Sequence, residues 1–261
     1  SSTKSETPNC PTTSTTSPPQ TTTLMSSQIG ESKETEADDL RSLGYYFDSD
    51  GYLRDTENSQ RATETNIRNT SGDLVAAVAK YVQSVLFKTY HFESTLVPTL
   101  EEAVVPGARC PIFYSKDYDK KDKIVVIIQG SGRGLQPGIW SRTLCMTEGL
   151  NMGSMLPQIK MALQHNYGVI VLNPNKRSYF DQEKNVKHPI RYSERPESHA
   201  LYVWNHYVEP TLATDLYILA YGYGGEVAKS LMASLAESHE KSIVDLNKSN
   251  GKTSKSAPNS I

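Results

Sequence analysis

The sequence predicts an α/β protein in which helices flank a mostly parallel β-sheet. Two continuous apolar runs, Lys123–Ile128 and Tyr167–Leu172, are rich in β-branched residues and are typical of strands covered on both faces. A third apolar run, Asp215–Ala220, leads into a glycine-rich segment. Helical patterns separate the three runs, and this alternation favours parallel strands joined by right-handed crossovers.

Shorter elements are predicted before the first buried strand. Leu43–Phe47 and Tyr52–Arg54 flank an Asp-Gly pair, which is typical of a β-hairpin turn. A calcium loop is the alternative here, but Tyr46 occupies the position of its first carboxylate ligand. Apolar residues at three- and four-residue spacing predict a helix from Asp73 to about Thr89. Pro111–Tyr114 is predicted to be a short strand at the edge of the sheet.

Three further helices are predicted from apolar periodicity: Met155–His165, Glu197–Val208, and Glu226 to about Glu237. Between the first two of them lies a mild basic cluster that includes Lys176, Arg177, Arg191 and Arg195. Acidic residues alternate with them, so this stretch is interpreted as a solvated loop rather than a nucleic-acid patch.

Composition divides the chain into three parts. Residues 1–37 are almost entirely Ser, Thr, Pro, Gln, Glu and Lys, and they contain too little apolar surface to offset the entropy cost of ordering. They are predicted to be a disordered tail. Residues 38–246 form the predicted globular domain, and the polar residues 247–261 are predicted to be a second disordered tail.

Composition also argues against several classes of function. The 261 residues carry a formal net charge of −2, which offers no basic surface to nucleic acid or to an anionic membrane. No run approaches the ~18 consecutive apolar residues of a membrane-spanning helix. Cys10, Cys110 and Cys145 lie far apart, without the spacing of a zinc site or a disulfide framework. We therefore predict no metal and no cofactor, and we expect a reducing compartment.

The glycine-rich segment after the third strand carries the strongest functional signal. Tyr221-Gly222-Tyr223-Gly224-Gly225 follows a strand and precedes a helix, as the nucleophile elbow G-x-S-x-G of α/β-hydrolases does. Gly222 stands where the elbow carries its serine, and glycine has no side chain that could attack a carbonyl. The segment therefore predicts an α/β-hydrolase-like fold with a vestigial elbow.

A second glycine-rich loop, Gln129-Gly130-Ser131-Gly132, follows the first buried strand. In α/β-hydrolases such a loop donates a backbone N–H to the oxyanion hole, so these four residues are predicted to be a vestigial oxyanion loop. The alternative is an ordinary tight turn after a strand. The glycine spacing matches neither of the phosphate-binding patterns G-x-x-x-x-G-K-[ST] and G-x-G-x-x-G.

Few other residues could act as the nucleophile or as its general base. Ser131 is the only hydroxyl in the loop, but a serine nucleophile needs an imidazole within ~3 Å, and a structural role is favoured. His199 is a conceivable general base, although its place in the first turn of an amphipathic helix favours a structural role. In α/β-hydrolases the acid and the histidine follow the nucleophile, and only His239 follows the elbow here. The fold is therefore expected to be C-terminally truncated.

Five blocks of this sequence resemble the Arb-two-type domain, named after an Argonaute-binding protein, in its animal cotranscriptional-regulator branch. The blocks are 43–48 with 51–54, 124–132 with 138–142, 167–175, 196–206 and the elbow 221–225. Animal relatives tend to read His-Gly-Ser-Gly after the first strand and His-Ser-Tyr-Gly-Gly at the elbow. The present chain has Gln129 at the first of these histidines and Gly222 at the serine, so the departures fall at the catalytic positions.

The resemblance implies an α/β-hydrolase-like fold and roles beside Argonaute proteins, chromatin factors and histone deacetylases. The expected function is a catalytically inactive interaction module in cotranscriptional regulation or silencing, in the nucleus or the cytoplasm. Its expected partners are proteins, with no direct nucleic-acid binding and no membrane. The rival hypothesis is an active serine esterase-type hydrolase with Ser131 as a non-standard nucleophile. A third is a truncated or decaying gene product without a function of its own.

Overall fold

The computed structural model describes residues 35–62, 64–65, 72–132 and 135–253, with side chains described from Asp39 to Val244 within these ranges. The helices are α1 (Thr35–Ser42), α2 (Gly72–Lys88), α3 (Arg142–Thr147), α4 (Leu150–Gly153), α5 (Leu156–Gln164), α6 (Pro196–Val203) and α7 (Gly224–Thr253). The strands are β1 (Tyr45–Phe47), β2 (Leu53–Asp55), β3 (Phe92–Val97), β4 (Cys110–Ser115), β5 (Lys123–Ile128), β6 (Gly168–Val171), β7 (Ser178–Asp181), β8 (Val186–Pro189) and β9 (Asp215–Ala220).

Five strands form one sheet in the order β3-β4-β6-β5-β9. Strand β5 pairs in parallel with both β6 and β9, whereas β4 is antiparallel to both of its neighbours, β3 and β6. The predicted α/β class is therefore confirmed, but the sheet is mixed rather than mostly parallel. The three strands β6, β5 and β9 form its parallel part, and their carboxyl ends meet at one edge.

Strand β4 lies inside the sheet, so the prediction that Pro111–Tyr114 is an edge strand is wrong. Its outer neighbour β3 covers it along six residue pairs, from Phe92 opposite Ser115 to Val97 opposite Cys110. The sequence of β3 hides the strand, because Glu93, Ser94 and Thr95 interrupt its apolar residues. Exposed polar residues are what an outer strand carries, and they leave no continuous apolar run to detect.

Each face of the sheet carries its own apolar core. Val82 of α2 and Ile159 of α5 pack with Ile127 on one face, which we call the first core. Val203 of α6 and Val227 of α7 pack with Ile128 on the other face, the second core. Since neighbouring residues of a strand point to opposite faces, both faces need apolar side chains. This confirms the interpretation of Lys123–Ile128 as a strand covered on both sides.

Most of the predicted local elements are confirmed, with three corrections. The hairpin β1–β2 and the helices α2 and α5 lie where the sequence places them. The predicted helix 197–208 is α-helical only to Val203 and continues as a π-helix over Trp204–Val208. The stretch interpreted as a solvated loop contains the hairpin β7–β8. The helix after the elbow continues past Glu237 to Thr253.

The ends of the chain lie largely outside the described residues. Residues 1–34 and 254–261 are not described, so the disorder predicted for them stays a prediction. Helix α1 begins at Thr35 and helix α7 ends at Thr253, so both extend past the predicted domain limits of 38 and 246.

The first residue of α7 packs directly against the end of β5. A Cβ atom at Gly224 would overlap the carbonyl oxygen of Ile128 and lie 2.9 Å from that of Gln129, whereas a Cβ atom at Gly225 would meet no heavy atom within 4 Å. Backbone atoms cannot move aside as a flexible side chain can. Gly224 is therefore needed for this contact, and Gly225 is not.

We predict that Gly224→Ala lowers the free energy of unfolding by about 1–3 kcal/mol, because the new methyl group must displace strand backbone. Gly225→Ala is the matched control, and the better helix propensity of alanine should leave its stability unchanged or raise it by up to about 1 kcal/mol. Urea unfolding of the two variants measures the difference. Equal stability of both variants would contradict the packing described.

Candidate functional site

The elbow segment forms a strand–turn–helix. Strand β9 ends at Ala220, and a turn over Tyr221–Tyr223 precedes α7. Gly222 has a φ of +56°, in the left-handed region that side chains disfavour. The Gly224 N–H donates to the Tyr221 carbonyl over 2.9 Å, and the Gly225 N–H donates to the Gly222 carbonyl over 3.0 Å. This is the local context in which a nucleophile elbow presents its central residue.

The structure brings the two predicted glycine-rich segments together. The last residues of β5 and β9, Ile128 and Ala220, are paired, and the Tyr221 N–H donates to the Ile128 carbonyl over 3.2 Å. A Cβ atom at Gly222 would lie 3.9 Å from the Cα atom of Gly130. A side chain at position 222 would therefore project beside the loop 129–132.

Asn175 fixes this loop from the other side, a role that the sequence did not reveal. Its side-chain Nδ2 donates to the Gly130 carbonyl over 3.0 Å, and its Oδ1 accepts from the Gly132 N–H over 3.2 Å. The two bonds hold the loop after β5 against the loop after β6. An asparagine just beyond a buried strand could have suggested such a contact, but nothing in the sequence names its partner.

The side chains of Ser131 and Gln129, in the loop 129–132, differ in their environment. Ser131 is exposed, and no hydrogen bond within the described residues joins it to a histidine ring. Gln129 is buried, and its Nε2 donates to the Leu135 carbonyl over 3.4 Å. Its Oε1 is buried and has no hydrogen-bond partner among the residues that the structure describes. Neither residue has the partner that a nucleophile or its base requires.

His199 is held as a neutral structural residue. The Asn173 N–H donates to its Nε2 over 3.1 Å, so the ring proton lies on Nδ1 and points at the Ser193 hydroxyl oxygen, 2.9 Å away. The ring is fully buried, and this burial lowers the pKa of His199 to about 3. Since both nitrogens are engaged, the ring cannot take a proton from Ser193, and the predicted structural role is confirmed.

The two tyrosines of the elbow contact different parts of the domain. The Tyr223 hydroxyl donates to the Glu197 carboxylate at the start of α6 over 2.7 Å, which holds the pKa of Glu197 below its usual value. The Tyr221 ring lies 5.8 Å from that of Trp140. The side chain of Tyr221 remains 53% exposed, so an aromatic surface adjoins Gly222.

The described part of the chain contains neither a cluster of metal-ligating side chains nor a membrane-spanning helix. No group of three or more His, Cys, Asp or Glu side chains lies close enough together there to hold a metal ion. None of the helices described combines the length and the apolar content that crossing a bilayer requires.

Comparison with known proteins identifies a family. The family model for the Arb2 domain matches residues 37–253. The chain is 29% identical over 193 residues to a FAM172 family protein homolog of Caenorhabditis elegans, covering 74% of this chain and 59% of that protein. It is 28% identical over 202 residues to the human cotranscriptional regulator ARB2A, covering 59% of this chain and 48% of that protein.

A third relative has a similar identity to this chain and a similar share of its length matched. The Dictyostelium discoideum homolog of cotranscriptional regulator ARB2A is 27% identical over 220 residues, covering 71% of this chain and 54% of that protein. The chain thus spans about half to three-fifths of the length of these curated relatives.

We predict that His199 makes folding stability depend on pH. Its folded pKa lies below its unfolded value of about 6.5, so only the unfolded chain gains a proton between about pH 6.5 and pH 3, and stability is lost as pH falls through this range. The loss at pH 5 should be about 2 kcal/mol. Urea unfolding at pH 7 and pH 5 measures it.

Two variants test whether His199 is the group that causes this pH dependence of stability. His199→Gln cannot gain the proton and should lose this part of the pH dependence, whatever its stability at pH 7. His165→Gln, at an exposed position, should keep it. The same pH dependence in His199→Gln as in the unmodified chain would show that His199 is not the group responsible.

Proposed function

Because the chain belongs to the Arb2 domain family, we propose that it is a protein-interaction module in Argonaute- or chromatin-linked gene regulation, built on a hydrolase-like scaffold without a nucleophile. Relatives in this family are named cotranscriptional regulators. The proposed location is the nucleus, the cytoplasm or both, with protein partners and no direct contact to nucleic acid or membrane. No cofactor is part of the proposal.

The observation that carries the proposal is the backbone conformation at Gly222. The chain keeps the turn, the left-handed φ of +56° and the neighbouring loop that a nucleophile elbow uses. At the one position that would need a reactive side chain, there is only a hydrogen atom. Retention of this geometry without the nucleophile supports a role for the scaffold other than catalysis.

The hydrolase-like assignment rests on the relation between the two loops. An oxyanion hole takes one N–H from the residue after the nucleophile and another from the loop after a neighbouring strand. Tyr223 occupies the first of these positions, and Gly130 and Ser131 lie in the second loop. The pairing of Ile128 with Ala220 places both at one edge of the sheet.

Strand β9 offers a surface for a protein partner. It is the last strand in the described sheet, so its outer edge has unpaired backbone donors and acceptors. Leu216 is 40% exposed and Tyr217 is 45% exposed, and they lie on opposite faces of this strand. An extended segment of a partner could pair with such an edge, as in other cases of strand addition.

We predict that the chain is not a serine hydrolase. The unmodified chain, Ser131→Ala and Gly222→Ser should all remain unlabelled by a fluorophosphonate probe and should not hydrolyse p-nitrophenyl acetate above background. Gly222→Ser restores a hydroxyl but no base, which explains why it should stay inert. Labelling of the unmodified chain that Ser131→Ala abolishes would establish the esterase alternative.

The interaction is tested by affinity purification from nuclear extract with the full chain. We expect enrichment of Argonaute or chromatin proteins, and we expect Leu216→Asp/Tyr217→Asp to reduce it several-fold. Met161→Asp is the matched control, because it changes an exposed apolar residue on α5 instead of β9. No enrichment of these proteins over an unrelated bait would contradict the proposed partners, and equal loss in both variants would contradict the proposed surface.

A further inference from the structure

The connections of the central strands open a crevice at one edge of the sheet. The chain passes from β5 to β6 through α3–α5, on the face of the first core, and from β6 to β9 through α6, on the face of the second core. The loops after the adjacent strands β5 and β6 therefore leave toward opposite faces. In α/β sheets, a crevice of this origin is where ligands bind.

A cavity of about 430 Å³ lies between these two loops. This volume falls within the range of about 300–1,000 Å³ that is usual for small-molecule sites. It is lined by Gln83, Pro111, Phe113, Leu135, Gln136, Pro137, Asn173, Asn175 and Lys176. The cavity is distinct from the elbow, since none of the residues 221–225 lines it.

Asn173 gives this cavity a polar side chain that has no hydrogen-bond partner among the described residues. Its backbone is fixed on both sides, because its N–H donates to His199 and its carbonyl accepts from the Cys110 thiol over 3.4 Å. The residue is only 6% exposed. No hydrogen bond in the described part of the chain uses its side-chain amide, so the amide can hydrogen-bond to a molecule that enters the cavity.

The charges of the lining residues define the kind of ligand. Among the described lining residues, Lys176 is the one that carries a charge, and none is an Asp or a Glu. Lys176 is exposed and has no ion pair with any described residue. Phe113 and Leu135 provide an apolar wall beside it. A cation, a free amide and an apolar wall together are complementary to an organic anion with an apolar body.

We propose that this cavity binds a small organic acid, with its carboxylate at Lys176 and Asn173 and its apolar body against Phe113 and Leu135. The site goes beyond the proposed interaction module and does not depend on it, since strand β9 and the elbow contribute no lining residue.

The test uses the full chain and the probe 3-phenylpropionate, with neutral 3-phenylpropanamide and inorganic phosphate as comparison ligands. Titration followed by amide-proton NMR should show a Kd of about 1 mM for the acid, the range expected of so small a ligand. The shifts should include the Asn173 side-chain amide. The neutral amide and phosphate should bind at least several-fold more weakly. The amide lacks the negative charge that pairs with Lys176, and phosphate lacks the apolar body that contacts Phe113 and Leu135.

Two lysine variants test the charge. Lys176→Gln should weaken binding of the acid by about 5- to 10-fold, as loss of an exposed charged donor would. Lys187→Gln, which removes an exposed lysine on β8, should leave the Kd unchanged. Lack of binding at about 10 mM, ten times the expected Kd, would overturn the proposal. Equal affinity for the neutral amide or for phosphate, or equal Kd values for the two variants, would also overturn it.

Discussion

The close approach of two backbone segments at the carboxyl edge of the sheet determines the rest of this fold. The first turn of α7 lies on the carbonyl groups of Ile128 and Gln129, and this distance tolerates only glycine at position 224. At Gly130, a Cβ atom would lie 3.2 Å from the Tyr221 carbonyl oxygen. The two glycines let β5 and β9 remain paired to their last residues while the chain turns sharply into a helix. Val227 and Leu231 of that helix then reach the second core.

The backbone conformation at this edge also accounts for glycine at position 222. A side chain in the left-handed region is strained, by about 1–3 kcal/mol in sparsely populated conformations, and an enzyme tolerates this strain to expose its reactive group. Glycine adopts the conformation without strain. Replacement of a serine by Gly222 would therefore relieve the strain while leaving the turn, its hydrogen bonds and its packing unchanged. Stability alone would favour this substitution wherever the chemistry is no longer needed.

The parts of the fold that were predicted are those whose cause is local. Lys123–Ile128 is rich in apolar residues because both faces of its strand are covered. In the turn at 221–225, Gly222 adopts a left-handed φ and Gly224 packs against strand backbone. Strand β3 escaped prediction because pairing with β4, and not its own apolar content, holds it in the sheet. The π-helical segment after Val203 keeps the apolar spacing of a helix. The sequence pattern therefore does not reveal the change from α-helix to π-helix. The contacts of Asn175 and Asn173 join residues far apart in the chain, and a single sequence does not show such pairs.

A chain of contacts links α6 to the loop after β5 by way of the loop after β6. Ser193 orients His199, whose Nε2 holds the backbone of Asn173, and two residues later Asn175 binds both Gly130 and Gly132. Each member is buried or half-buried, so every bond also satisfies a polar group that would be costly to leave unpaired. The side-chain amide of Asn173 has no hydrogen-bond partner among the described residues, and it lies where the two loops enclose a cavity. The network thus fixes the backbone of Asn173 and leaves its side-chain amide available to a ligand in the cavity.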